Sequence, residues 1–182
     1  VVIRSIKGVV SDLPLAPEKN TAGMAALALQ RELDLPFGFE LEIDKGIPLG
    51  SGLGGSAASA VAAVVACAAL ADRPVDRTQL LKFAMQGEAV ASGSVHVDNI
   101  APSLFGGLVL TVGIDNPHVK RIPVPECVRC VLVHPHMVLA TREARAILKK
   151  TVDLSDVIWQ QANLAGFLAG CYSCDLPLIR ES

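Results

Sequence analysis

Between residues 37 and 44, apolar and polar side chains alternate: Phe37, Phe39, Leu41 and Ile43 against Gly38, Glu40, Glu42 and Asp44. A period of two predicts a strand with one buried and one wetted face. The preceding stretch, 20–33, predicts a helix, with Asn20 as its N-cap and Leu27, Leu29 and Leu33 partly buried. After the strand comes a glycine-rich stretch, 48–55. A nearly apolar run over 57–71, broken only by Ser59, then predicts a helix that starts near Ser56 and is stopped by Pro74. Asp76 is placed to cap a further helix over 77–91, with Leu80, Leu81, Ala84 and Met85 on its inner side.

Beyond Gly106-Gly107 the pattern turns to strands, at 108–112, 119–124 and 128–133, with Asp115-Asn116-Pro117 as the best linker signal. Thr141 caps a predicted helix over 141–150, Asp153 one that reaches Cys171, and 177–182 add no further element. The order is mixed α and β, with a domain boundary near residue 116, giving segments 1–116 and 117–182.

Composition narrows the partners. With 51% hydrophobic residues and a net charge of −2, the 182 residues can bury a core and are not a disordered acidic tail. That charge leaves no electrostatic footprint for nucleic acid. Aromatic residues are only 4%, so the core must rest on Ala, Val, Leu and Ile. The 15-residue apolar run is shorter than the roughly 18–20 residues that span a bilayer, so no membrane partner is expected. No basic, then apolar, leader opens the sequence, from which a cytoplasmic location is expected. The start at Val1 and the abrupt end suggest a segment truncated at both ends. The five cysteines include two C-x-x-C pairs, Cys127/Cys130 and Cys171/Cys174. Forty residues separate the pairs and neither lies in a glycine knuckle, so reduced, mostly buried thiols are expected rather than a zinc site. The histidines His118, His134 and His136 form no metal motif.

The chemistry concentrates in Pro48-Leu49-Gly50-Ser51-Gly52-Leu53-Gly54-Gly55-Ser56. Four glycines let a backbone turn tightly and approach a ligand, and the loop runs into a helix N-terminus, where amides and the positive dipole end favour an anion such as phosphate. The bland alternative is a connection that only lets the alanine-rich helix pack closely. A Walker A loop is excluded because no Lys follows the glycines. Gly50, Gly52 and Gly55 match the dinucleotide pattern G-x-G-x-x-G, but a second strand ending in an acidic residue should follow, and here Asp72-Arg73-Pro74 lead to a helix.

The form P-x-x-x-G-L-G-G-S-A-A resembles the second motif of the small-molecule kinases that include galactokinase, homoserine kinase, mevalonate kinase and phosphomevalonate kinase. Within that superfamily, Glu88, the segment Ser92-Gly93-Ser94-Val95-His96-Val97-Asp98-Asn99-Ile100-Ala101-Pro102, Phe105-Gly106-Gly107, Thr141-Arg142-Glu143-Ala144-Arg145 and Leu164-Ala165-Gly166-Phe167 are similar to the homoserine kinase family. The resemblance implies an α+β, two-domain fold: a ribosomal protein S5 domain 2-like N-terminal nucleotide-binding domain and a ferredoxin-like C-terminal domain. It implies transfer of the γ-phosphate of ATP to the hydroxyl of L-homoserine, in threonine biosynthesis, with Mg²⁺ as the metal and a homodimer left open. The alternatives are a related kinase for another small alcohol and a non-catalytic fragment that needs a partner to fold.

By position, the resemblance places Ser56 and Glu88 on Mg²⁺, the loop residues 48–56 on the nucleotide phosphates, Asn20 near the adenine, and Asn99, Thr141 and Arg145 on homoserine, with Asn99 aligning the reacting hydroxyl and Arg145 holding the carboxylate. Read without it, Glu88 is a solvated helix charge, Asn20 and Thr141 are N-caps, and Arg145 is a surface residue. His96 reads either as a base or as a residue that orients its neighbours. The sequence departs from the family at Gly55, where most relatives carry a serine. The family's first motif, its C-terminal glycine-rich loop and a second carboxylate-binding arginine have no counterpart in these residues.

Overall fold

The computed structural model describes residues 1–92, 97–113, 115–133 and 147–182. It divides into two compact units, Val1–Gly106 with Thr111–Val119, and Gly107–Leu110 with Lys120–Ser182.

In the first unit, strands β1 (Val2–Gly8) and β2 (Glu40–Lys45) pair in parallel, with a register shift between Ile3 and Ser5. A parallel pair needs a crossover, and here it is a 3₁₀ turn, Pro17–Lys19, followed by helix α1 (Thr21–Glu32). Asn20 caps α1 as expected: its Oδ1 accepts from the amides of Ala22 (3.0 Å) and Gly23 (3.4 Å), while its Nδ2 donates to Pro14 O (3.0 Å). Helix α2 (Gly55–Ala69) stops short of Pro74, and α3 (Arg77–Ser92) begins at a reciprocal cap. The Gln79 amide donates to Asp76 Oδ1 (2.9 Å) and the Asp76 amide to Gln79 Oε1 (3.1 Å). Helix α4 (Val97–Phe105) is the last helix of the unit.

Helices α1, α2 and α3 pack on one another through small and aliphatic side chains. Ala25, Ala57, Ala60, Val64, Leu29, Leu81 and Ile100 are fully buried, and the predicted Leu80, Ala84 and Met85 are buried with them. Gly87 sets how closely α3 meets α1, since a Cβ there would lie 2.5 Å from Thr21 O and 2.8 Å from the Ala25 Cβ. Helix α2 is followed directly by α3 with no strand between them, which removes the dinucleotide-binding alternative. The strand predicted from residue 37 begins at Glu40. Phe37 and Phe39 lie ahead of it, ring edge to face at 5.6 Å, with Phe39 buried.

Strands β3 (Leu108–Val112) and β4 (His118–Ile122) form a two-stranded sheet. In the second unit, α5 (Leu154–Ser173) starts after Asp153 and ends where Cys174 takes a left-handed conformation (φ 57°). It packs on α6 (Leu176–Glu181), capped by the Asp175 carboxylate on the Leu178 amide (3.1 Å). Here three expectations are corrected. Residues 128–133 form no strand: the ladder needs a neighbour, and among the described residues β3 pairs with β4 alone, leaving Val131 85% exposed. Residues 177–181 are helical rather than featureless, because Asp175 supplies a cap. Cys127, Cys130 and Cys174 are exposed, so only Cys67 and Cys171 are buried thiols. Residues 147–150 form a turn, and the rest of the predicted helix over 141–150 lies outside the described residues. No helix among the described residues is long and apolar enough to cross a membrane.

Candidate active site

The site grows from the end of β2 and the start of α2. Residues Pro48, Leu49, Gly50, Ser51, Gly52 and Leu53 form an exposed loop that stays turned because Gly50, Gly52 and Gly54 adopt left-handed backbone (φ 65°, 73° and 68°). Within it the Ser51 hydroxyl donates to Pro48 O (2.8 Å) and accepts from the Leu53 amide (3.4 Å). Gly54 is the N-cap of α2, and the first helical hydrogen bond runs from the Ala58 amide to Gly54 O (2.9 Å). The amides of Gly55, Ser56 and Ala57 therefore stand ahead of the ladder at the positive end of the helix, the arrangement that receives an anion.

Two residues 32 positions apart meet beside this terminus. Ser56, in the first turn of α2, donates its hydroxyl to Glu88 Oε1 on α3 at 2.9 Å. Glu88 is 6% exposed, so it is not the solvated helix charge that its sequence position alone suggests. A hydroxyl and a carboxylate converging next to a phosphate-receptive loop are hard oxygen donors. They fit Mg²⁺, which takes few protein ligands and fills its shell with water and phosphate. Asn99, on α4, reaches the same place: a Cβ on Gly54 would lie 3.4 Å from the Asn99 Cβ and Oδ1. A side chain at position 54 would thus press on Asn99 as well as strain the left-handed backbone.

Gly55, where the resemblance leads to a serine, has a local cause. A Cβ there would lie 3.1 Å from Ile47 Cγ2 and 3.3 Å from Ile47 Cβ, so the branched Ile47 occupies the room. Asn20, buried, has its carbonyl oxygen engaged in capping α1. Thr141, Arg145 and His96 lie outside the described residues.

The sequence pattern passed over one residue in this neighbourhood. Lys45 is 6% exposed; its Nζ donates to Gly55 O (2.8 Å) and to Ser59 Oγ (2.6 Å), and the Ser59 hydroxyl in turn donates to Gly55 O (2.9 Å). Burial holds its pKa below the ordinary lysine value, while the Glu88 carboxylate pulls the other way. The signal was present in the alternation: continuing Phe39, Leu41, Ile43 by two places puts Lys45 on the inward face. A cavity of about 400 Å³ lies beside it, lined by Leu41, Ile43, Ala62 and Ala66. Its wall is mostly aliphatic, with Glu42, Asp44, Lys45 and Ser59 as its polar members.

Residues 20–107 match the family described as GHMP kinases N terminal domain. The chain is 53% identical, over 180 residues and 99% of its length, to a homoserine kinase of Xylella fastidiosa, and 39% identical over 98% of its length to one of Chloroherpeton thalassium. It spans 55% and 58% of those relatives, little more than half their length. A crystal structure of homoserine kinase from Cytophaga hutchinsonii superposes with a TM-score of 0.89 at 41% identity, over 98% of this chain and 56% of that one.

Proposed function

We propose that the protein is a homoserine kinase, transferring the γ-phosphate of ATP to the hydroxyl of L-homoserine, a reading supported by the match of residues 20–107 to the GHMP kinases N terminal domain. The observation that carries this reading is the convergence of Ser56, Glu88 and Asn99 on the glycine loop. The likeness to homoserine kinases over nearly the whole chain supports the choice of acceptor. The same reading takes the chain as part of a two-domain kinase, with an S5 domain 2-like N-terminal domain and a ferredoxin-like C-terminal one.

Phosphoryl transfer asks mainly for positioning and charge neutralisation. The loop 48–56 and the leading amides of α2 receive the phosphates. Ser56 and Glu88 hold Mg²⁺, which when bound neutralises phosphate charge. Asn99, in contact distance of Gly54, orients the acceptor hydroxyl toward the loop. Arg145 and Thr141 bind the amino acid end of homoserine, where a guanidinium fork suits a carboxylate. Asn20 serves the nucleotide side by fixing the start of α1.

The test is ADP release by the full-length enzyme with ATP and, in turn, homoserine, mevalonate and galactose. ADP formation with homoserine alone is expected. Turnover with another alcohol instead moves the protein to a sister kinase, and turnover with none of the three removes the kinase reading. The 182-residue chain assayed in parallel tests the alternative of a non-catalytic fragment that needs a partner to fold, an alternative favoured by the apolar side chains the second unit leaves exposed.

A further inference from the structure

We propose that Lys45 is a positioning residue for the Ser56–Glu88 pair, fixing the first turn of α2 from the end of β2. The inference rests on the reading of that pair as the metal site. A buried ammonium at a helix N-terminus is doubly unfavourable. Desolvation penalises its charge, and the dipole of α2 prefers a negative group there. The protein nonetheless buries Lys45 to 6% exposure and gives it two acceptors, Gly55 O and Ser59 Oγ.

Those acceptors explain what the arrangement accomplishes. Gly55 directly precedes Ser56, so a bond to its carbonyl holds the peptide plane from which the Ser56 side chain departs. Ser59 lies one turn on, and its hydroxyl bonds the same carbonyl, so Lys45, Gly55 and Ser59 close a three-membered network. A glycine at position 55, confined by Ile47, has no side chain of its own to fix the turn. Lys45 supplies the missing restraint, and its charge attracts the Glu88 carboxylate electrostatically. Residues that orient metal ligands in this way are commonly worth 10–100-fold in metal affinity.

The experiment titrates Mn²⁺ into the full-length, ADP-bound enzyme by electron paramagnetic resonance, with thermal unfolding alongside, for the parent, K45M, K45R, S59A and E88Q. K45M is expected to weaken Mn²⁺ about 10- to 100-fold, K45R to return most of that affinity, and S59A to show a smaller loss in the same direction. Parent-like Mn²⁺ affinity in a folded K45M overturns the proposal, whatever happens to its melting temperature. Should K45M fail to fold, S59A decides: unchanged affinity there leaves Lys45 a purely structural part and also overturns it. E88Q separates the two readings. If E88Q binds Mn²⁺ as the parent does, the metal site itself is wrong; if E88Q loses affinity and K45M does not, only the role of Lys45 falls.

Discussion

The two units handle apolar side chains in opposite ways. In the first, Leu29, Val64, Leu81 and Ile100 are shut inside by three helices and α4. In the second, Ile147, Leu154, Ile158, Trp159 and Leu164 are all more than half exposed, and among the described residues the buried apolar side chains are few, Ile122 and Cys171 among them. The lesson is that apolar content does not make a core. The first unit has surfaces that face one another: alanines on α1 and α2, a glycine on α3, and aliphatic side chains between them. In the second, α5 meets the six-residue α6, too small a partner to cover twenty residues of helix.

The sharpest way to break this comparison is to cut the first core. Leu81→Ala is expected to cost about 2–5 kcal/mol in urea unfolding of the 182-residue chain, because the side chain is fully buried and its cavity cannot collapse freely. A loss near zero would mean that the three-helix core is not the stable part. A somewhat smaller effect comes from Cys67, whose burial pushes the thiol up to about 11. The folded state keeps the thiol neutral while the unfolded chain ionises near the ordinary value. Its contribution is therefore intact below about pH 9 and lost as the pH climbs toward 11, by up to about 2–3 kcal/mol. Urea melts across that range should show the loss in the parent and not in Cys67→Ala. The smallest effect belongs to the second unit. Trp159, 63% exposed, should tolerate replacement by Ala within about 0.5 kcal/mol in the same chain. A core-sized loss there would show that something, such as a second copy, covers that face.

What could be read from the sequence follows the same divide. Helices α1 to α3 were legible because each carries its own punctuation: Asn20 and Asp76 as caps, Pro74 as a stop. The 128–133 segment was not, because a strand is decided by its neighbour rather than by its own valines. At the site, the glycine loop announced itself, but nothing in the spacing ties Ser56 to Glu88 across 32 residues; that link came from family resemblance, and the structure brings the two side chains into contact. Lys45 escaped notice because a lysine after an alternating strand looks like the strand's wet end. Counting on by two from Ile43 is what places it inward, where the structure buries it.

Gly87 carries a consequence for anyone engineering this protein. Sequence-based stabilisation schemes replace helical glycines with alanine, expecting a gain of up to about 1 kcal/mol from propensity. Position 87 would rank high in such a screen, being a lone glycine inside a sixteen-residue helix. Yet the added methyl would sit 2.5 Å from the Thr21 carbonyl, and α3 would have to back away from α1. The next residue along is Glu88. A substitution chosen to raise the melting temperature would thus disturb the neighbouring Ser56–Glu88 hydrogen bond, and a directed-evolution library that admits alanine at 87 would select for repair of the spacing elsewhere.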